Sequence, residues 1–168
     1  MLDDTTIREF LRDDYPRLVN AVALVTGDVS AAEDAVQEAL VRAWIRSDRG
    51  EDIESLPAWV AVVAMNLTRS GWRRMTAERR ARARLSSAFA SDDARSVERL
   101  DVERALAGLP RRQRQIAVLR YFLQLDTREV AEALRVSEGT VKNSLSKARA
   151  ALAASLQIDE QEENDVEA

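Results

Sequence analysis

The sequence predicts an all-α protein of two small helical domains joined by a flexible linker. Apolar residues recur with helical spacing along nearly the whole chain, and no strand-like alternation is sustained. The 168 residues suffice for two domains of roughly 70–80 residues each. Helical periodicity weakens in the middle of the chain, which divides it into a first domain at residues 1–74, a linker at 75–100 and a second domain at 101–156. Residues 157–168 form an acidic tail with little to bury, which predicts disorder.

Local signals place four helices in the first domain. Pro16 suits the first turn of a helix, and Gly27 is a typical helix stop. Ser30 and Glu33 have the spacing of a capping box. The predicted helices lie around Ile7–Leu11, from Pro16 to Gly27, from Ser30 to Arg46, and, after a polar loop at 47–55, from Pro57 to Arg74.

The second domain carries equally clear start and stop signals. A first helix ends at Leu109, before Pro110. Asp126 and Glu129 form a second box-like start, and Ser137 can cap the last helix. The predicted helices are 100–109, one around Ile116–Phe122, 127–134 and 138–152.

Helices 127–134 and 138–152 with a three-residue turn make a helix-turn-helix pattern. In such a pair the first helix braces the second, whose N-terminal turn enters the major groove of DNA. Gly139 would let the backbone approach a phosphate closely. The outward positions of the second helix carry donors suited to base edges and phosphates, namely Lys142, Asn143, Ser146, Lys147 and Arg149. The competing interpretation is an ordinary helical hairpin with a solvated face.

The charges are segregated along the chain. Residues 1–74 carry 9 basic and 13 acidic side chains, whereas residues 101–156 carry 10 basic and 6 acidic ones. Between Arg69 and Arg84 there are seven arginines and one glutamate. A basic belt followed by a basic domain is the electrostatic footprint of phosphate binding, although a solvated arginine-rich face has the same composition.

Two helices of the first domain allow both a functional and a structural interpretation. Helix 30–46 has a mixed polar face that ends in Trp44, which could anchor a partner protein or lie at the edge of the core. Helix 57–74 combines Trp59, Asn66 and Trp72 with terminal arginines. Such a surface could hold unstacked single-stranded bases, or the tryptophans could belong to the core.

Composition argues against several classes of function. The chain has no cysteine and no histidine, which removes thiolate nucleophiles, Cys/His zinc sites and histidine bases. We therefore expect no enzyme activity, no metal and no cofactor. No apolar stretch reaches the ~20 residues that span a bilayer, and the acidic N-terminus has no signal-peptide pattern, so we expect a cytoplasmic protein without membrane insertion.

With these motifs in their order, the sequence resembles a bacterial RNA polymerase sigma factor of the extracytoplasmic-function (ECF) group. The run at 26–34 is most similar to the actinobacterial members of that group. Residues 31–46 and 56–74 are similar to region 2 of that family, and residues 109–152 to region 4. The resemblance implies a factor that binds core polymerase and directs initiation by recognising −35 duplex and −10 melted DNA. It implies the clamp helices of the largest subunit, the flap of the second subunit and promoter DNA as partners, and an anti-sigma factor as a further candidate.

The resemblance also implies roles for individual residues. Polymerase contacts fall on Asp34, Gln37, Glu38, Arg42 and Trp44. Contacts to the −10 element fall on the loop 47–55 and on Asn66, Arg69, Arg73 and Arg74. Contacts to the −35 element fall on Ser137, Gly139, Thr140, Lys142, Asn143, Ser146, Lys147 and Arg149.

The chain departs from the family pattern in its recognition helix. Ser144 and Lys147 stand where the family commonly has arginine, and lysine cannot make the two-pronged contact of a guanidinium. The usual −35 sequence is therefore not expected. Two other classes of function stay open from the residues alone: a dimeric helix-turn-helix regulator that binds a palindromic duplex without polymerase, and a helical interaction protein with no role on DNA.

Overall fold

The structure, a computed structural model, describes residues 2–68 and 97–166, with side chains over 2–68 and 101–155. All regular structure in these residues is helical. The first domain contains α1 (Asp4–Glu9), α2 (Tyr15–Thr26), α3 (Val29–Asp48) and α4 (described over 56–68). The second contains α5 (Val97–Gly108), α6 (Arg111–Ala117), α7 (Thr127–Leu134) and α8 (Glu138–Val166).

The first domain begins with helices that join without a break. One π-helical segment at Phe10–Asp14 connects α1 to α2, which the sequence pattern did not predict. The predicted stop at Gly27 is confirmed, because this residue adopts the left-handed conformation with φ of 74°. The predicted N-cap at Ser30 is wrong: α3 begins earlier, and the Asp28 carboxylate accepts a 3.2 Å hydrogen bond from the Ala31 N–H. The Asp28 carboxylate thus satisfies one of the orphan amides of the first turn, and Ser30 lies inside the helix.

The apolar stripes predicted from the sequence form the core of the first domain. α2 contributes Leu18 and Val22, which are nearly inaccessible to solvent, and α3 packs an alanine-rich stripe against them. Small side chains let the two helix axes approach closely. The fully or almost fully buried residues of α3 and α4 are Ala32, Val36, Ala39, Ala43, Val60, Ala61, Ala64 and Met65.

The second domain follows the predicted helix-turn-helix geometry. α6 continues into a second π-helical segment at Val118–Phe122, which the sequence pattern did not predict either. The predicted capping box is confirmed, because Glu129 N–H donates to Asp126 Oδ1 at 2.8 Å and Asp126 N–H donates to Glu129 Oε2 at 2.6 Å. Ser137 caps α8 as expected, accepting from the Thr140 N–H at 3.1 Å.

The acidic tail differs from its prediction. We expected no regular structure beyond Leu156, but the backbone of α8 is helical to Val166. Alanine, glutamate and glutamine have high helix propensity, and no glycine or proline follows Gly139 to end the helix. Low hydrophobicity therefore did not translate into loss of helix.

The two domains pack directly against each other. α2 of the first domain contacts α5, α6 and the π-helical segment of the second domain. As a result, the buried apolar residues of both domains belong to one continuous cluster. Among the described residues, no helix has the length and apolar character required to cross a membrane.

The capping box gives a direct test of local stability. We expect Asp126→Ala to lower the free energy of unfolding by about 1 kcal/mol, because it leaves the Glu129 amide without its side-chain acceptor. Urea denaturation followed by circular dichroism measures this change. Asp52→Ala is the matched control, because Asp52 is an exposed acidic residue in the loop before α4. Equal stability of the two variants would show that the box does not stabilise α7.

Candidate functional site

The outward face of α3 presents an exposed apolar patch flanked by polar groups. Val41, Trp44 and Ile45 are 54%, 47% and 44% exposed. We call these three residues the α3 patch. Trp44 therefore lies outside the core, which answers the question left open by its periodicity. Val41 and Ile45 were missed in the sequence, although both fall outside the buried alanine stripe: Val41 lies three residues before Trp44, and Ile45 directly follows it.

The polar residues implied by the resemblance also lie on the surface of α3. Asp34, Gln37, Glu38 and Arg42 are all exposed. Arg42 Nε donates to Glu38 Oε1 at 2.8 Å, and Gln37 Nε2 donates to the Tyr15 hydroxyl at 3.1 Å. These bonds hold the side chains in a defined array beside the patch, although an exposed ion pair adds little stability.

A large cleft separates α4 from the second domain. It has a volume of about 920 Å³. Asn66 is exposed on the α4 side of the cleft. Trp59 is half-buried and also lines the cleft, and the guanidinium carbon of Arg46 lies 5.9 Å from the centroid of its ring. The structure thus brings Asn66 and Trp59 to one wall of this interdomain cleft. The predicted −10 residues Arg69, Arg73 and Arg74, and Trp72, lie outside the described residues.

Arginines from the second domain line the opposite wall. Arg112 Nη2 donates to the Leu134 carbonyl and its Nη1 to Gln115 Oε1, both at 3.1 Å. Arg111 and Arg135 also line the cleft, together with one carboxylate, Glu132. The cleft is therefore rich in guanidinium groups, a feature that sequence reasoning missed because these arginines are far from α4 in the chain.

The N-terminal half of α8 exposes every predicted −35 residue. Its inward positions Val141, Leu145 and Ala148 are buried, so the opposite positions face solvent. Lys142 lies 3.7 Å from Glu138 through a loose, exposed ion pair. The exposed set is Ser137, Gly139, Thr140, Lys142, Asn143, Ser146, Lys147 and Arg149.

Backbone geometry at the turn sets the direction of this helix. Arg135 adopts a left-handed conformation with φ of 54°, which reverses the chain between α7 and α8. A Cβ added at Gly139 would meet only Ser137 Oγ, at 3.8 Å, so packing within the chain does not demand glycine there. Close approach of a phosphate to Gly139 stays a prediction.

No candidate metal-binding site occurs in the part of the chain that the structure describes. Within it, no group of three or more acidic side chains is placed to hold a metal ion. The arrangement instead offers an apolar patch, a guanidinium-rich cleft and a row of donors on a helix. These surfaces suit protein and nucleic-acid partners.

Comparison with known proteins agrees with this arrangement. The family model described as Sigma-70 region 2 matches residues 10–85, and the one described as Sigma-70, region 4 matches residues 99–152. The chain is 32% identical over 145 residues to the RNA polymerase sigma-E factor of Streptomyces avermitilis, covering 86% of this chain and 81% of that protein. It is 30% identical over 169 residues to the ECF RNA polymerase sigma factor SigL of Mycobacterium tuberculosis, covering 92% and 91%.

A solved structure shows the same fold. The sigma factor RpoE from Bartonella quintana, crystallised in complex with the anti-sigma factor NepR, superimposes with a TM-score of 0.73 at 26% identity. The match covers 94% of this chain and 99% of that one. The two domain matches in order, the full-length relatives and this fold lead to one conclusion. The chain belongs to the sigma-70 family of RNA polymerase sigma factors, in its ECF group.

Proposed function

We propose that the chain binds core RNA polymerase and directs promoter-specific initiation, recognising the −35 element as duplex and the −10 element as melted DNA. The observation that carries this proposal is the row of exposed donors on α8, set on a helix-turn-helix in a chain of the sigma family. The chain itself would not be a catalyst: it would lend sequence specificity to the polymerase.

The proposed division of labour follows the two domains. Residues 1–74 bind polymerase and the −10 element, residues 101–156 bind the −35 element, and 75–100 link them. Residues 157–166 extend α8, and the acidic segment 157–168 has no assigned role.

The second domain would place the start of α8 in the major groove. Lys142, Asn143 and Arg149 can reach base edges or phosphates, since their side chains are exposed and on the outward face. Ser137, Gly139 and Thr140 lie at the first turn, where backbone amides favour a phosphate. Phosphate contacts would set the register, and base contacts would select the sequence.

The first domain would capture an extruded base of the −10 element. Asn66 offers an amide that can pair with a base edge, and Trp59 offers part of an aromatic face. Capture offsets the unstacking cost of a few kcal/mol and so biases the duplex toward opening. Arg69, Arg73 and Arg74 would hold the backbone at the upstream edge of the melted segment.

The α3 patch and its polar neighbours would dock on the clamp helices of the largest polymerase subunit. Trp44 is the expected anchor, because a half-exposed tryptophan flanked by apolar residues is a typical hot spot of an interface. Asp34, Gln37, Glu38 and Arg42 would supply the polar rim. The second domain would meet the flap of the second subunit.

Polymerase is needed as a guide between the two elements. A relaxed coil of about 26 residues, the length that the sequence predicts for the linker, spans on the order of 28 Å. One turn of DNA is about 34 Å, so two elements more than a turn apart exceed the relaxed reach of the linker. The free chain should therefore bind promoters poorly.

An anti-sigma factor is a further proposed partner. The RpoE relative was crystallised with one, and the present chain shares that fold. Such a partner would act where polymerase acts, in the cytoplasm.

A gel-shift assay separates this proposal from the dimeric helix-turn-helix regulator. With promoter duplex alone, we expect weak binding, and with core polymerase added we expect a tight complex that requires the chain. Tight binding to a palindromic duplex without polymerase would favour the regulator instead.

The cleft residue Asn66 gives a sharper test of the −10 assignment. We expect Asn66→Ala to reduce the promoter melting seen by permanganate reactivity about tenfold, since a specific base contact contributes roughly 1–3 kcal/mol. Asn20→Ala is the matched control, because Asn20 is also an exposed asparagine of the first domain but lies on α2. Equal melting by both variants would remove Asn66 from the −10 site.

A further inference from the structure

Two arginines join the domains by capping each other's helices. Arg17, near the start of α2, donates through Nη2 to the Phe122 carbonyl at 2.9 Å, where the π-helical segment ends. Arg114 of α6 donates through Nη1 to the Val25 carbonyl at 3.2 Å, one residue before α2 ends. Each guanidinium therefore meets a carbonyl at the C-terminal end of the other domain's helix.

A third arginine crosses the same interface. Arg111 Nη2 donates to the Met65 carbonyl at 2.7 Å and to the Thr68 hydroxyl at 3.1 Å, both on α4. We call Arg17, Arg111 and Arg114 the arginine latch. All four of these interdomain bonds run from a charged donor in one domain to an acceptor in the other.

The physical setting favours these bonds. The last carbonyls of a helix have no partner within it and carry the negative end of the helix dipole, so a cation there is stabilising. Charged donors also make stronger hydrogen bonds than neutral ones. Arg114 additionally donates to the Ala107 and Leu109 carbonyls, which fixes its side chain before it reaches across.

Apolar contact and overall charge also favour the arrangement in which the two domains pack together, which we call the closed arrangement. Leu24 of α2 lines a groove of about 280 Å³ together with Val102, Leu106 and Phe122 of the second domain. The first domain carries 13 acidic against 9 basic side chains, and the second 6 acidic against 10 basic. Opposite net charges attract, so the closed arrangement is favoured at long range as well.

The closed arrangement conflicts with simultaneous reading of two promoter elements. Asn66, the proposed −10 residue, and Arg135, two residues before the first −35 residue, line the same cleft. Asn66 therefore lies across one cleft from the turn that precedes the −35 helix, whereas the two DNA elements lie more than one helical turn, about 34 Å, apart. The latch must therefore release before both elements are engaged.

We propose that the arginine latch is an autoinhibitory contact: it holds the chain closed until polymerase separates the domains. This inference rests on the proposed function, because autoinhibition has meaning only for a chain that binds the −35 and −10 elements at the same time. It assigns a role to Arg17, which lies outside the three surfaces described above, and an interdomain contact to Arg111 of the cleft.

Distances between the domains test the latch without polymerase. The chain has no cysteine, so Glu33→Cys and Ala153→Cys, both at exposed helical positions, supply the only two thiols for a donor and an acceptor dye. In this labelled chain, we expect Arg17→Ala with Arg111→Ala to raise the open-to-closed ratio at least on the order of tenfold, since three hydrogen bonds from charged donors are lost. Arg114 is left in place because it also holds its own turn.

The matched control removes two guanidinium groups that stay within their own domains. Arg8 pairs with Asp4 at 2.6 Å and Arg104 with Asp101 at 3.0 Å. Arg8→Ala with Arg104→Ala should leave the distance distribution unchanged. An unchanged distribution in the latch variant, with helical circular dichroism intact, would overturn the latch.

Two further measurements keep the result decisive. If the alanine variant loses helicity, Arg17→Met with Arg111→Met replaces it, because methionine keeps a long unbranched apolar stem but has no group that donates a hydrogen bond to the partner domain. An unchanged distance there also overturns the proposal. In run-off transcription, the latch variant should reach half-maximal activity at a severalfold lower concentration than the wild type, and an equal concentration would contradict autoinhibition. Failure of both chains to support initiation would instead refute the proposed function, while the distances still decide the contact.

Discussion

Replacing Lys142 and Arg149 together by alanine is expected to lower initiation at the cognate promoter on the order of 100-fold, because each lost contact to DNA contributes roughly 1–3 kcal/mol. Both side chains are exposed on the outward face of α8, opposite the buried Val141 and Leu145. Their removal therefore changes the DNA-facing surface and not the core. Run-off transcription measures the loss.

Polymerase binding should survive this double substitution. We expect an unchanged affinity for core polymerase, and a salt dependence of promoter binding reduced by up to two ion equivalents if both residues contact phosphates. Arg8→Ala with Arg104→Ala serves as the control for loss of two positive charges. Loss of polymerase affinity in the α8 variant would contradict the proposed division of labour between the domains.

Trp44→Ala is expected to weaken binding to core polymerase on the order of 100-fold while leaving the fold intact. Truncation of a tryptophan hot spot commonly costs about 2–4 kcal/mol at an interface. Because the side chain is 47% exposed, the free energy of unfolding should change far less than for a buried residue. Fluorescence anisotropy of the labelled chain titrated with core polymerase measures the affinity.

A second exposed apolar residue of α3 provides the comparison for Trp44. Val29 is 43% exposed but lies at the opposite end of the helix from the α3 patch. Val29→Ala should bind polymerase like the wild type. If both variants bind normally, the α3 patch is not the docking surface, and another face of the first domain must carry the contact.

Local chemistry explains why the helices were predictable. The capping box of Asp126 and Glu129, the stop at Gly27 and the cap at Ser137 are each encoded within four residues, and each was confirmed. Both Asp28 and Ser30 are residue types that cap helices, and the N-cap of α3 is Asp28. The helical end of α8 shows that propensity alone can extend a helix beyond the apolar stripe.

Contacts between residues far apart in the chain could not be predicted from the sequence. Nothing in the sequence distinguishes Arg17 and Arg114 from other arginines, because their acceptors are backbone carbonyls, which every residue carries. The two π-helical segments likewise depend on how the helices pack. The guanidinium-rich cleft arises from the same interdomain packing, so only the three-dimensional structure reveals it.

Promoter choice follows from the recognition helix. Ser144 is half-buried and Lys147 is exposed, so Lys147 is the residue of this pair that we expect to contact DNA. A lysine offers a single point charge to the groove and cannot make the two-pronged contact that an arginine guanidinium makes. We therefore infer a −35 preference that differs from that of arginine-bearing family members.

The central claim is that this chain confers promoter specificity on core RNA polymerase. The direct measurement is run-off transcription by purified bacterial core polymerase on genomic fragments, with and without the chain. We expect discrete transcripts from a small set of fragments, and only when the chain is present. An identical transcript pattern in its absence, or failure of the chain to associate with the polymerase, would contradict it.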